Sequence, residues 1–218
     1  MIIGDVDRLQ ILTTYDVLVD DQESLVTSLA AHAEDHLATL RGFAGVAWLA
    51  QLPGPGQSES SAAAGVVQIL QWDDPEAARN VLADPGSLSP QAGLQGFSST
   101  ISAACSELYR LDAVISEDGR DRAVLEVQPT GTQVATAIIV TEPAPGKRGW
   151  LAEYHHSETS DHIRHLPGFV SASFFAAEDS QRLAEIVQWR SFGHFSAAFH
   201  DHRFKEHVDV AAITRRPR

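Results

Sequence analysis

The sequence predicts an α+β fold built from two tandem β-α-β-β-α-β units, and three observations carry that prediction. Asp35-His-Leu-Ala-Thr-Leu-Arg-Gly-Phe43 returns 126 residues later as Asp161-His-Ile-Arg-His-Leu-Pro-Gly-Phe169, with Asp, His, Leu, Gly and Phe in the same places. Gly65-Val-Val-Gln-Ile-Leu-Gln-Trp72 returns as Arg182-Leu-Ala-Glu-Ile-Val-Gln-Trp189, sharing Ile, Gln and Trp at an offset of 117. Two matched segments in the same order mark an internal duplication. The 218 residues give each copy about 100 residues, enough for a small domain.

In the first copy, residues 10–19 are β-branched and roughly alternating, as a strand requires. Asp20, Asp21 and Ser24 then offer helix-capping side chains. A helix to about Leu40 follows, with Leu25, Leu29, Ala33, Leu37 and Leu40 on one face. Gly42 stops it, because glycine takes the left-handed cap conformation without steric cost. Residues 43–51 and 64–72 read as a hairpin around the Pro/Gly/Ser-rich loop 52–61. Asp73-Asp-Pro75 starts a short helix at 76–82, with Asp as cap and Pro in the first turn. Residues 85–106 are irregular, a lid-like segment, an extra helix or a plain connection, and 107–115 closes the unit as its fourth strand.

The second copy repeats the order: strand 133–141, helix 150–166, strands 168–177 and 182–189, a helix capped by Ser191, and a last strand at 207–214. Each unit thus has the ferredoxin-like order of elements. The expected domains are 1–116 and 132–218, joined by a linker at 117–131 with an extra strand at 122–128. A four-stranded sheet with both helices on one face leaves the other face bare. Packing the two sheets face to face, as a pseudo-twofold dimer within one chain, is the expected way to cover both. A further homodimer is compatible with this arrangement.

Composition narrows the function. A net charge of −13 argues against nucleic acid and anionic membranes as partners. No window holds 18 uninterrupted apolar residues, so no membrane span is expected. The N-terminal Met1-Ile-Ile-Gly-Asp-Val-Asp7 lacks a basic region and a long apolar run, so no signal peptide is expected. The single Cys105 suits a reducing cytoplasm and reads as filler, not as a nucleophile. Nucleotide-binding glycine motifs, a phosphate loop and a Gly-x-Ser-x-Gly elbow are missing from the sequence.

Leu166-Pro-Gly-Phe169 and Leu40-Arg-Gly-Phe43 between helix and strand, the strand-end Trp72 and Trp189, and the helix after each Trp resemble the antibiotic biosynthesis monooxygenase group of the dimeric α/β-barrel superfamily. That resemblance covers two tandem copies. It implies a pseudo-dimeric α/β barrel and a cofactor-independent oxygenase of aromatic polyketides, with O₂ as co-substrate. It also implies that the strand-end Trp, and the position four residues before it, line the pocket. Those positions are Trp189 and Glu185 in the second copy, and Trp72 and Gln68 in the first; the family's Asn stands at neither.

Strand alternation puts Leu183, Glu185, Val187 and Trp189 on one face. A carboxylate buried among those apolar neighbours would have a raised pKa, suited to taking a proton from a phenol or an acidic C–H; the alternative reading is a Glu paired with Arg or His across the domain interface, or one at an exposed edge. Eight of the ten histidines lie between His155 and His207. His36 and His162 recur and are read as structural, bonding a carbonyl or Asp35/Asp161. His155 and His194 replace Leu29 and Ala77 of the first copy, so with Glu185 they form the catalytic set. Phe174, Phe195, Trp189, Trp72 and Gln68 are the candidate substrate-binding residues, and Phe192, Phe195 and Phe199 form a core stripe. No metal site is expected, because His155-His156 and His200-Asp-His202 point their side chains in different directions on a helix. The second copy is the expected active half. A polyketide cyclase on the same scaffold, or a haem-binding protein with His155, His194 or His200 as ligand, are the competing readings.

Overall fold

The computed structural model describes residues 8–50, 63–88, 102–119 and 134–213. The expected hairpin loop at 52–61, the 122–128 strand and most of the lid-like 85–106 region lie outside the described residues. The chain divides into two compact units, Asp7–Leu108 and one that contains Tyr109–Arg218. The division falls inside a strand, ahead of the 117–131 segment expected to separate the domains.

The N-terminal unit runs β1 (Leu9–Leu18), α1 (Gln22–Asp35), β2 (Phe43–Ala50), β3 (Ala63–Trp72), α2 (Pro75–Ala83), the single turn α3 (Pro85–Leu88) and the first half of β4 (Ser102–Ser116). Its strand order is β2-β3-β1-β4. Both β1 and β2 pair antiparallel with β3, with Thr13 opposite Gln68. Residues Leu25, Leu29 and Ala33 recur every fourth position and are the buried side of α1.

The C-terminal unit runs β5 (Ala135–Thr141), α4 (Arg148–Asp161), β6 (Phe169–Ala177), β7 (Leu183–Trp189), α5 (Phe192–Ala198) and α6 (His202–Ile213). Its sheet has β7 between β6 and β5, with Ile139 opposite Glu185. The outer neighbour of β6 is the second half of β4, from Tyr109 to Ser116. Both units are therefore α+β with ferredoxin-like element order, but the C-terminal one differs at its end.

The expected strand at 207–214 is part of helix α6. Val208, Val210 and Ile213 favour a strand locally, but packing overrides that preference. Phe204, His207 and Val208 lie at helical spacing, and Phe204 sits edge-on to Trp189 with ring centroids 5.7 Å apart. The expected aromatic core stripe is also corrected. Phe192 is 52% exposed and Phe199 44%; Ala198 is the one buried residue of α5.

The repeated helix–turn–strand stretch proves to be a joint. Gly42 and Gly168 have φ of 79° and 82°, the left-handed region that glycine enters freely. Their carbonyls accept bonds of 2.7 Å from the backbone N–H of Asp73 and Arg190, just past β3 and β7. Space is as restrictive as φ: a Cβ at Gly168 would lie 2.2 Å from Cγ of His194, and one at Gly42 2.4 Å from Cβ of Asp74. Asp74 caps α2 and Ser191 caps α5, each accepting backbone N–H bonds. Behind each joint the strand-end Trp packs edge-on against the Phe that follows the glycine, Trp72 on Phe43 and Trp189 on Phe169.

Gly168→Ala is expected to lower stability by about 1–3 kcal/mol through strain at this joint. An unchanged urea midpoint would show that the joint tolerates a side chain.

Candidate active site

Helix and strand periodicity in the C-terminal unit bring three distant polar side chains to one point. The buried residues of α4 are Leu151, His155 and Thr159, spaced by four. Alternation on β7 turns Glu185 toward the same side, where it is only 4% exposed. His155 Nδ1 lies 3.1 Å from Glu185 Oε2. Helix α6 delivers His207, whose Nε2 is 3.7 Å from the same oxygen. The His155 and His207 ring centroids are 4.4 Å apart, and Tyr154 stacks on the outer side of His207.

Glu185 is paired with histidines, and its pKa is lowered, not raised. Burial alone raises the carboxyl pKa, as the sequence reading held. Hydrogen bonds from His155 and His207, and their charge, outweigh it and hold the carboxyl at about 2, below its ordinary 4.5. Glu185 is thus an anion at neutral pH and only accepts hydrogen bonds. Its partner nitrogen on His155, Nδ1, is then the donor of their hydrogen bond, and Nε2 stands on the far side of the ring. That Nε2 is buried and has no hydrogen-bond partner among the described residues. Glu185 holds the His155 ring in place through this bond.

Both residues line a small, partly open cavity of about 20 Å³. Ile139, Thr141, Ala152, Phe174 and Leu183 supply most of the remaining wall. Asp112 and His156 stand on the wall too, 3.7 Å apart, and His156 packs edge-on to Phe174. Asp112, Ala152 and His156 also border an open groove that continues along α4 past Glu153 and Ser157.

Of the expected site residues, Glu185, His155 and Phe174 meet here. His194 does not: it is exposed on α5, with Nδ1 2.8 Å from Ser191 Oγ, and it covers Gly168. Trp189 is fully buried at the other end of β7 among Phe169, Phe195 and Phe204. Phe195 packs on that Trp. Trp72 and Gln68 are fully buried in the N-terminal unit, where Gln68 accepts a 2.8 Å bond from the Tyr15 hydroxyl. His162 bonds Asp201 at 2.7 Å, not Asp161. His207 was missed, although the Phe204-x-x-His207 spacing on a helix would have aimed it inward.

The donor atoms of His155, Glu185 and His207 all lie within 4.8 Å of one another. Two imidazoles and one carboxylate are a set that first-row divalent metals accept. These three side chains come from α4, β7 and α6 and not from neighbours along one helix.

The fold is shared with solved structures. An anthrone oxidase-like protein matches with a TM-score of 0.75, covering 100% of this chain and 91% of that one at 15% identity. A ferredoxin-fold protein of Listeria monocytogenes related to antibiotic biosynthesis monooxygenases matches with a TM-score of 0.50, covering 98% and 88% at 11% identity. These likenesses define the class, a ferredoxin-like α+β protein. No family model matches the chain. By sequence it is similar to tetracenomycin-F1 monooxygenase of Streptomyces glaucescens, 37% identical over 83 residues that make up 38% of this chain and 74% of that protein. The chain belongs to the antibiotic biosynthesis monooxygenase family. Among the described residues, no helix is long and apolar enough to cross a membrane.

Because the pKa of Glu185 is depressed by folding, its contribution to stability is complete above about pH 4.5 and is lost as pH falls toward 2. Thermal unfolding across that window is expected to show a steeper acid limb for the wild type than for Glu185→Gln. Parallel limbs would mean that the carboxylate is not held by the two histidines.

Proposed function

We propose that this protein is a cofactor-independent monooxygenase that converts a polycyclic aromatic polyketide of phenol or anthrone type into a quinone. The observation that carries this reading is the buried His155–Glu185 pair facing a cavity walled by Phe174 and apolar side chains. Membership of a family whose curated relative is a tetracenomycin-F1 monooxygenase supports it. So does a net charge of −13, which suits an uncharged aromatic better than a phosphorylated one.

The chemistry follows from the geometry. His155 Nε2 takes a proton from the substrate, and the anionic Glu185 stabilises the imidazolium that forms. The resulting electron-rich carbanion reduces O₂ itself, and the C–O bond forms as a peroxide. Proton return from His155 helps that peroxide expel water, leaving a carbonyl where a CH₂ stood. Two substrate hydrogens and one oxygen atom leave as water, and the second oxygen atom stays in the product. Apolar walls keep bulk water from protonating the carbanion early.

Oxygen uptake by the metal-free protein with an anthrone tests this directly. His155→Ala is expected to lower kcat by about 10²–10⁴-fold, the range for losing a positioned base. Uptake no faster than the spontaneous reaction would end the proposal. Uptake abolished by chelators and restored by a divalent metal would shift it to the His155–Glu185–His207 metal reading. Product formed under strict anaerobiosis would identify a cyclase instead.

A further inference from the structure

The duplication offers an internal control for the cavity, because the strand registers align the two units at this point. Thr13 pairs with Gln68 as Ile139 pairs with Glu185, so Tyr15 corresponds to Thr141. The sequence offsets of 126 and 117 pair Val26 with Ala152, Leu29 with His155, Trp48 with Phe174 and Val66 with Leu183. In the N-terminal unit, Tyr15, Leu29 and Val66 pack as one apolar cluster, with Val26 and Trp48 against it. In the C-terminal unit the corresponding five residues all line the cavity.

The substitutions run in one direction at three places. Tyr to Thr, Val to Ala and Trp to Phe each remove volume, and close-packed interiors do not refill such losses unaided. The largest loss is the phenol ring of Tyr15. That ring is 1% exposed, and its hydroxyl donates to Gln68, the residue that corresponds to Glu185. One unit therefore contains a phenol seated against the position where the other unit has a cavity and an ionised carboxylate.

We propose that Thr141 is the specificity-determining residue of the cavity, and that the space it leaves is a subsite for a single hydroxyaryl ring. The Tyr15 side chain shows the pose: ring under the helix, hydroxyl toward the β7 carboxylate and the imidazole beside it. This rests on the reading of the cavity as the substrate site and adds which ring edge enters. The phenolic hydroxyl leads, and the remaining fused rings extend toward the Asp112–His156 mouth and the groove along α4.

Phenol and 1-naphthol binding to the full chain under argon, followed by calorimetry, tests the proposal without any turnover. Thr141→Tyr supplies the missing ring covalently and is expected to weaken binding by roughly tenfold or more, with cooperative unfolding retained. Thr141→Val, close in volume, keeps wild-type affinity. Should Thr141→Tyr fail to fold, Ala152→Val, which restores the Val26 counterpart, is expected to weaken binding in the same direction. Anisole, which lacks the hydroxyl proton, is expected to bind more weakly than phenol. Folded Thr141→Tyr or Ala152→Val binding phenol as the wild type does, or anisole binding equally well, would overturn the proposal. Absent oxygen uptake with Thr141-dependent phenol binding would instead remove the oxygenase reading and leave the subsite standing.

Discussion

A carboxylate that is nearly sealed from water needs compensation, and the C-terminal unit is arranged around supplying it. Glu185 on β7 is surrounded by apolar side chains that would favour its neutral form. An unpaired charge there would cost several kcal/mol after relaxation. His155 from α4 and His207 from α6 meet the same carboxylate oxygen and reverse the balance. Each partner comes from a different element, so the contact ties sheet, central helix and C-terminal helix to one another.

This interaction also explains the irregular end of the second unit. The N-terminal unit closes with β4 beside β1, as a ferredoxin-like unit does. In the C-terminal unit the corresponding chain is a helix, α6, which places Phe204 on Trp189 and His207 on Glu185. A strand in its place would have turned alternate residues away from the sheet's helical side and left Glu185 with one imidazole. The departure from the repeat therefore supplies the second histidine.

The two copies share some features and differ in others. Features they share serve folding: the left-handed Gly42 and Gly168, the caps Asp74 and Ser191, and the buried Trp72 and Trp189. Among the features they do not share, Leu29, Gln68 and Tyr15 stand where the C-terminal unit has His155, Glu185 and Thr141 around one cavity. Most of the fold was legible because it depends on local signals, such as the spacing of Leu25, Leu29 and Ala33 or the alternation in β7. Glu185 was legible as a charge at an apolar position. His207 was not, because the β-branched residues after it mimic a strand and only tertiary packing makes them a helix. The direction of the Glu185 pKa was equally hidden, since it is set by partners 30 and 22 residues away in sequence. His194 misled because its absence from the first copy looked functional, whereas its ring covers a backbone turn.

In the proposed reaction Glu185 is a buried anion that orients His155 and leaves the imidazole to take the proton. The side-chain carboxyl ¹³C resonance of Glu185, assigned by comparison with Glu185→Gln, reports this most directly. The ionised shift is expected at neutral pH and through the ordinary carboxylate range, with protonation only near pH 2. A protonated carboxyl at pH 7 would contradict it and return the role of base to Glu185 itself.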